Sequence, residues 1–162
     1  MNIYIIPAWY PQNDEDRTAS FFREQDHAMA ERGHDVTVIH ITPVSVTRIG
    51  RQKWNITRIW QDGDVRTIFY EVIVPIIGKF SNAQDKYISN MFYKIIKKQI
   101  DSDIEQGLNA PDILHAHVSH SCGYYCLKAK EKLNIPLVVT EHYSGLLLGE
   151  ATDNEYERVR KT

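Results

Sequence analysis

The residues of this chain that are best placed to do chemistry are three histidines. His115 and His117 lie at the end of a predicted strand, residues 112–116, and His142 follows a second predicted strand, residues 137–141. Both segments are short and apolar, as buried strands are. Because ligands of an open parallel sheet bind outside the carboxyl ends of its strands, we expect these histidines to meet at one crevice.

Three roles remain open for these histidines. His115 and His117 face the same side of a strand and would form a metal site with His142, but an H-x-H pair with one distant histidine is a weak pattern. In a structural role one histidine of the pair, with His115 the favoured candidate, points into the sheet and hydrogen-bonds the backbone. In a functional role His117 emerges into the crevice and bonds a substrate hydroxyl or phosphate. We predict the functional role for His117 and no metal.

The segment Thr18-Ala19-Ser20 is a second candidate, because it precedes a predicted helix whose N-terminal amides are able to hold an anion. Capping of that helix by Thr18 or Ser20 is the simpler role for the side chains. Dinucleotide fingerprints, P-loops and G-x-S-x-G elbows are absent from the sequence. Cys122 and Cys126 share a helix face and are interpreted as core residues rather than a redox pair.

The elements that must position these residues alternate between strand and helix. A strand over Asn2–Ile6, a helix from about residue 19 to Gly33 and a strand over residues 36–41 form a βαβ unit, which is typical of a parallel sheet. The strand-like segments 54–60 and Val65–Val74 flank an Asp-Gly step and predict an inserted hairpin. The sequence therefore predicts an α/β fold: a Rossmann-like, open, mostly parallel sheet with helices on both faces and an inserted β-hairpin.

Three further helices are predicted. The first covers residues 82–108, with one apolar stripe from Ile88 through Ile104 to Leu108. Off the centre of that stripe are three lysines, interpreted as a solvated face, with membrane contact left open: Lys94, Lys97 and Lys98. A second helix is expected over residues 121–133. The nearly all-polar tail, residues 150–162, is typical of a helix that begins with nothing to cover.

The composition indicates one ordinary globular domain and excludes several classes. The chain has 162 residues, 43% of them hydrophobic, and a net charge of −2, which gives no electrostatic reason to bind nucleic acid. No stretch approaches the roughly 18 to 20 apolar residues of a membrane helix. The start has no signal-peptide pattern, and two cysteines favour a reducing compartment. We expect a cytoplasmic protein, with contact at the inner face of the membrane left open.

Taken together, four segments resemble the N-terminal, acceptor-side domain of family-4-type glycosyltransferases with the GT-B architecture. The first covers the end of the first strand and the loop after it, residues 5–11, and the second joins residues 21–25 to residues 28–38. Residues 111–117 are similar to the family's D-[IV]-[IL]-H-x-H segment, and residues 136–142 are similar to its P-x-V-x-T-x-H segment. Their order and spacing carry the resemblance from residue 3 to about residue 145.

The resemblance implies a retaining transfer of sugar from a nucleotide-sugar donor to a glycan, lipid or small-molecule acceptor. His117 would be the catalytic residue, in contact with donor or acceptor. Ala19 takes the place of a glycine that the family often has. The substrate-binding residues implied are Thr18, Ala19, Ser20, Arg23, Glu24, His142 and Tyr143. No cofactor is implied, because the nucleotide-sugar is a substrate.

The resemblance also implies a second, donor-binding domain with an E-x7-E motif, which these residues do not contain. We therefore expect residues 1–162 to be the N-terminal domain of a larger enzyme, inactive alone, with its own C-terminal domain as a partner. The partners otherwise expected are the nucleotide-sugar and a sugar or lipid acceptor, without nucleic acid. The alternative is a non-catalytic α/β module that binds a small anion.

Overall fold

A computed structural model of the chain describes residues 1–13, 15–46, 55–75 and 82–162. These residues contain one six-stranded sheet with the strand order β3-β4-β2-β1-β5-β6. The strands are β1 (Asn2–Ile6), β2 (Asp35–Ser45), β3 (Ile56–Asp62), β4 (Val65–Val74), β5 (Ile113–His117) and β6 (Leu137–Thr140). All neighbours are parallel except β3, which runs antiparallel to β4.

Helices cover both faces of this sheet, so the Rossmann-like α/β prediction is confirmed. The helices are α1 (Ser20–Ala30), α2 (Asn82–Glu105), a π-helix (Val118–Gly123), α3 (Tyr124–Leu133), α4 (Gly145–Leu148) and α5 (Asp153–Lys161). On one face Phe22 of α1 packs over Ile3, Ile5 and Val38. On the other face α2 and α3 cover a larger apolar cluster, which includes Tyr4 and Leu114.

The inserted hairpin is confirmed at the edge of the sheet. β3 and β4 pair from Ile56 opposite Glu71 to Asp62 opposite Val65. The turn between them contains Gly63, whose φ of +56° is a conformation that glycine adopts at little cost. The first residue predicted for β3, Trp54, lies outside the described residues, as does most of the segment predicted to end the hairpin, residues 75–78.

The apolar stripe of α2 is shorter than predicted. Ile88, Phe92, Ile96 and Ile100 are buried, whereas Ile104 is 53% exposed and Leu108 lies beyond the helix end. The helix stops because Gly107 takes a φ of +81°, the left-handed conformation that ends helices. The predicted extension of the stripe to Leu108 is therefore wrong.

The polar tail does cover something, so the prediction of an unsupported helix is wrong. Helix α5 packs on the π-helix and α3, and its Arg158 is only 8% exposed. The guanidinium of Arg158 pairs with Asp85 of α2, with Nη2 2.5 Å from Oδ1 and Nε 3.1 Å from Oδ2. Polar composition failed as a guide because this helix is docked by a buried ion pair.

Both cysteines of the chain lie in the core. Cys122 and Cys126 are free and buried, which confirms their predicted place in the core. Burial raises the pKa of the Cys122 thiol to about 12, so the thiol stays protonated at neutral pH.

Across the described residues, the helices lack the combined length and apolar character needed to span a bilayer.

Candidate functional site

The predicted strand ends converge, and Phe22 joins them. This side chain begins the buried face of α1 and is fully buried. Its ring centroid lies 6.4 Å from Trp9 after β1, 4.7 Å from His117 at the end of β5, and 4.8 Å from His142 after β6. These side chains therefore meet where β1 and β5 are neighbours but the helices that follow them lie on opposite faces, which is where ligand sites of open parallel sheets form.

His117 and His142 form a hydrogen-bonded pair at the centre of this site. His117 Nδ1 is 3.0 Å from His142 Nε2, and the two rings stack with centroids 5.1 Å apart. The expectation that His117 opens directly into the crevice is wrong, because its side chain is 0% exposed with Phe22 packed edge-on against it. His117 Nε2 has no hydrogen-bond partner within the described residues.

His115 takes a different environment from the one expected of a structural histidine. Its ring is half-buried, and its Nε2 lies 2.7 Å from the hydroxyl oxygen of Thr140 on β6. The hydrogen bond therefore goes to a side chain of the neighbouring strand rather than to the backbone. Of the two histidines, His117 is the more deeply buried, which reverses the prediction for this pair.

The electrostatics of the site keep His117 neutral. Burial lowers its pKa to about 3, and the neighbouring rings of His115 and His142 reinforce the shift. A neutral imidazole has one N–H and one acceptor nitrogen. The unpartnered Nε2 thus has the capacity to donate or accept one further hydrogen bond, which a ligand atom would supply. A buried polar atom without a partner costs about 1–3 kcal/mol, and such atoms need an explanation, often a functional one.

Glu141 shapes the loop beyond the histidines. Its carboxylate accepts hydrogen bonds from the backbone amides of Ser119 at 2.9 Å, His142 at 2.9 Å and Tyr143 at 2.7 Å, and from the Ser119 hydroxyl. Burial alone would raise the pKa of Glu141, but these hydrogen bonds hold it below its usual value. Sequence reasoning missed Ser119 and Glu141, and the only signal was their polar type beside strand ends.

Backbone strain marks the same place. Val118 directly follows β5 with a φ of +73°, which is a genuine outlier for a β-branched residue. It opens the π-helix, where the predicted α-helix was expected to start only at residue 121. His120 Nδ1 and Ser121 Oγ of this segment are buried without a partner in the described part of the chain. π-helical turns and strained residues of this kind concentrate at functional sites.

Ala19 sits just before α1 with a φ of +52°. Thr18 is exposed and Ser20 is already the first helical residue, so the predicted capping by either side chain is wrong. The left-handed conformation is the one that glycine adopts most readily, which agrees with the glycine that the resemblance expects at position 19. The substrate-binding roles of these three residues stay predictions.

Arg23 and Glu24 do not lie with the histidines. The Arg23 guanidinium pairs with Asp62 of the hairpin, with Nη2 2.7 Å from Oδ1, and His27 Nε2 is 3.2 Å from the same carboxylate. Both Arg23 and Glu24 line an open cleft between α1 and the hairpin turn, with Ser20 at its end. The structure thus divides the predicted substrate residues between two places. Their roles stay predictions.

Tyr143 is the last of the predicted substrate-binding residues. Tyr143 lies beside the site, with its ring 4.7 Å from His120, and Gly145 leaves room for that ring, since a Cβ there would lie 2.4 Å from it. Within residues 1–13, 15–46, 55–75 and 82–162, no group of three or more His, Cys, Asp or Glu is arranged to hold a metal ion. His117 and His142 are instead directed at each other.

A mostly parallel sheet with helices on both faces defines a Rossmann-like α/β domain, with strained backbone and buried polar groups at its strand ends. The sequence model of Glycosyltransferase Family 4 matches residues 19–161. The chain therefore belongs to Glycosyltransferase Family 4, and the resemblance drawn from its sequence is confirmed. No curated protein matches the chain.

Proposed function

We propose that this chain is the acceptor-side domain of a retaining glycosyltransferase, which moves a sugar from a nucleotide-sugar donor to an acceptor. The observation that carries the proposal is the unpartnered Nε2 of His117, which lies at the strand-end crevice of a chain in Glycosyltransferase Family 4. A neutral imidazole there hydrogen-bonds a sugar hydroxyl or a phosphate oxygen of the reacting substrates.

Each neighbour has a part in this proposal. Phe22 shuts His117 off from solvent, so a shift of that ring accompanies substrate entry. His142 orients His117 through the Nδ1–Nε2 hydrogen bond, and Glu141 holds the loop that carries His142. Thr18, Ala19 and Ser20 stand at the N-terminus of α1, where backbone amides and the helix dipole favour a phosphate.

The donor's nucleotide, in this proposal, is held mainly by a donor-binding domain of the GT-B type, which is the partner of residues 1–162. Residues 1–162 alone then neither bind the nucleotide-sugar tightly nor turn it over.

The test is a transfer assay on the protein expressed from its complete gene, with a panel of nucleotide-sugars and glycan, lipid and small-molecule acceptors. We expect transfer from one donor with retention of the anomeric configuration, read by NMR of the product. Inversion contradicts the retaining mechanism. Tight binding of a small anion to residues 1–162, with no transfer by the complete protein, favours the non-catalytic binding module instead.

A further inference from the structure

A second cleft, separate from the histidine site, lies between α2 and the β3–β4 hairpin. Its volume is about 570 Å³, within the range of roughly 300–1,000 Å³ that small-molecule sites occupy. Its lining includes Thr57, Tyr70, Met91, Lys94, Ile95 and Lys98. We call it the α2 cleft.

The floor of the α2 cleft is largely apolar, although Asn55, Thr57 and Asn90 add polar groups to its lining. One stripe of α2 is buried in the core, but a neighbouring stripe, with Met91 and Ile95, is only partly buried and faces the cleft. Tyr70 and Val72 of β4 form the opposite wall. The Tyr70 hydroxyl is turned away into a 2.9 Å hydrogen bond to Gln99 Oε1, so the wall offers mainly ring and aliphatic carbon.

The rim of the α2 cleft is positively charged. Lys94 and Lys98 are one helical turn apart and exposed, and neither has a hydrogen bond or ion pair among the described residues. Lys97 differs, since its Nζ lies 2.6 Å from Asp101 Oδ2. None of the described residues that line the α2 cleft is acidic. Within the described ranges, two cations without an acidic partner therefore stand above a largely apolar floor.

The α2 cleft opens at the same edge of the sheet as the histidines. β1 pairs with β2 up to Val38, whereas Tyr70 and Val72 of β4 lie opposite Ile41 and Pro43 of β2. These wall residues therefore stand beyond the end of β1, on the face of the sheet that α2 covers. A ligand held there projects past the carboxyl ends of the strands.

We infer that the α2 cleft binds an anionic amphiphile, a single apolar chain that carries a phosphate. The chain would lie on Tyr70, Met91 and Ile95, and the phosphate would meet Lys94 and Lys98. Neither part alone explains the cleft, because a solvated lysine face needs no apolar groove and an apolar groove needs no pair of free lysines. In the glycosyltransferase this ligand would be the acceptor or its carrier, an assignment that rests on the proposed function, whereas binding itself does not.

Isothermal titration calorimetry of the 162-residue chain with farnesyl phosphate, below its aggregation threshold, tests the inference. We expect saturable binding that weakens at least tenfold in the double variant Lys94→Gln/Lys98→Gln. The matched control is Lys130→Gln/Lys132→Gln, which removes the same charge from exposed lysines of α3 and should bind like the wild type. Farnesol and inorganic phosphate should each bind at least tenfold more weakly than farnesyl phosphate.

A second variant keeps the inference testable if the lysine variant misfolds. Thr57→Glu places a carboxylate on the exposed β3 side of the α2 cleft and should also weaken binding of farnesyl phosphate at least tenfold. Equal binding by wild type and variants overturns the inference, as does binding only to phosphatidylglycerol vesicles without binding to the monomeric probe. These outcomes do not depend on sugar transfer, so they leave the proposed function untouched.

Discussion

Two clusters of buried polar groups, one at each end of the sheet, differ in how completely their groups are hydrogen-bonded. At the amino end, the carboxylate of Asp103 on α2 accepts hydrogen bonds from the Tyr4 hydroxyl, from Gln99 Nε2 at 2.7 Å and from Arg66 Nη1 at 3.0 Å. Arg66 also donates to the Thr37 hydroxyl at 3.1 Å. Within this network, which we call the Asp103 network, each buried group that the structure describes has a partner.

The carboxyl end is different. His117 Nε2, His120 Nδ1 and Ser121 Oγ are buried without partners in the described residues, and Val118 is strained. A protein under selection for stability alone would satisfy such groups, as this one does around Asp103. The complete partnering of the Asp103 network indicates a structural role, whereas the unpartnered groups at the carboxyl end support our proposal that a ligand binds there.

The largest expected effect concerns the Asp103 network. Arg66→Met leaves the Asp103 carboxylate, whose side chain is 1% exposed, without its cation. We expect the free energy of unfolding in urea to fall by about 3–5 kcal/mol, since removing one partner of a buried pair leaves an uncompensated charge.

Lys97→Met is the matched control for Arg66→Met, because it removes a cation from another aspartate of α2, the exposed Asp101. Its expected loss of unfolding free energy is much smaller than that of Arg66→Met, because water and salt screen an exposed ion pair. Similar losses in the two variants would show that burial does not distinguish the two pairs.

The next effect is a pH dependence of stability that originates at His117. Its pKa is lowered to about 3 in the folded protein, by burial first and by the neighbouring histidines second. The folded state therefore resists protonation, and the resulting stability is complete above pH 6.5 and is lost as the pH falls towards 3. His117→Asn should remove about 2–4 kcal/mol of this acid loss.

Urea unfolding of wild type and His117→Asn at several pH values between 3 and 7.5 measures that difference. His40 titrates in the same window, because burial lowers its pKa to about 4. The His117→Asn variant therefore keeps the part of the acid-induced loss of stability that comes from His40. Parallel stability curves for the two proteins would mean that His117 is not held neutral by its surroundings.

A smaller pH dependence of stability, opposite in sign to that of His117, is expected at Asp26 on α1. Asp26 is 0% exposed and its carboxyl oxygens have no partner in the described residues, so it resembles the carboxyl end rather than the Asp103 network. Burial raises its pKa to about 8. The nearby Tyr10 hydroxyl opposes this shift without forming a hydrogen bond of normal geometry, and Asp62, which itself pairs with Arg23 and His27, reinforces it.

Because the folded-state pKa of Asp26 is raised, its contribution to stability is complete below about pH 4 and is lost as the pH rises through 8. In Asp26→Asn we expect about 1–3 kcal/mol less loss between these values than in the wild type. Thermal unfolding followed by circular dichroism at pH 4, 6 and 8 measures the slope. A variant that loses as much stability with rising pH as the wild type would contradict an uncompensated Asp26.

Much of this fold follows from local patterns. The strand from Asn2 to Ile6, the βαβ unit and the Asp-Gly hairpin were predictable, because apolar periodicity and glycine positions act over a few residues. The convergence of His117 and His142 followed from topology alone, since parallel strands end at one edge.

The details of the site were not predictable in this way. Packing of Phe22 over His117, the left-handed Val118 and the pairing of Arg23 with Asp62 each join parts of the chain that are distant in sequence or run against local preference. Helix α5 shows the same limit, because one buried ion pair between Arg158 and Asp85 overrides its polar composition.

One measurement tests the contrast between the two ends most directly: kcat for sugar transfer and unfolding free energy, both determined for His117→Ala and Arg66→Met in the protein expressed from its complete gene. We predict that His117→Ala lowers kcat about a hundredfold, equivalent to about 3 kcal/mol of transition-state stabilisation. It should cost less unfolding free energy than Arg66→Met, which in turn leaves kcat within about threefold of the wild type at a temperature where it is folded. A His117→Ala protein that transfers sugar normally but unfolds as readily as Arg66→Met would contradict the account, because His117 would then be a core residue.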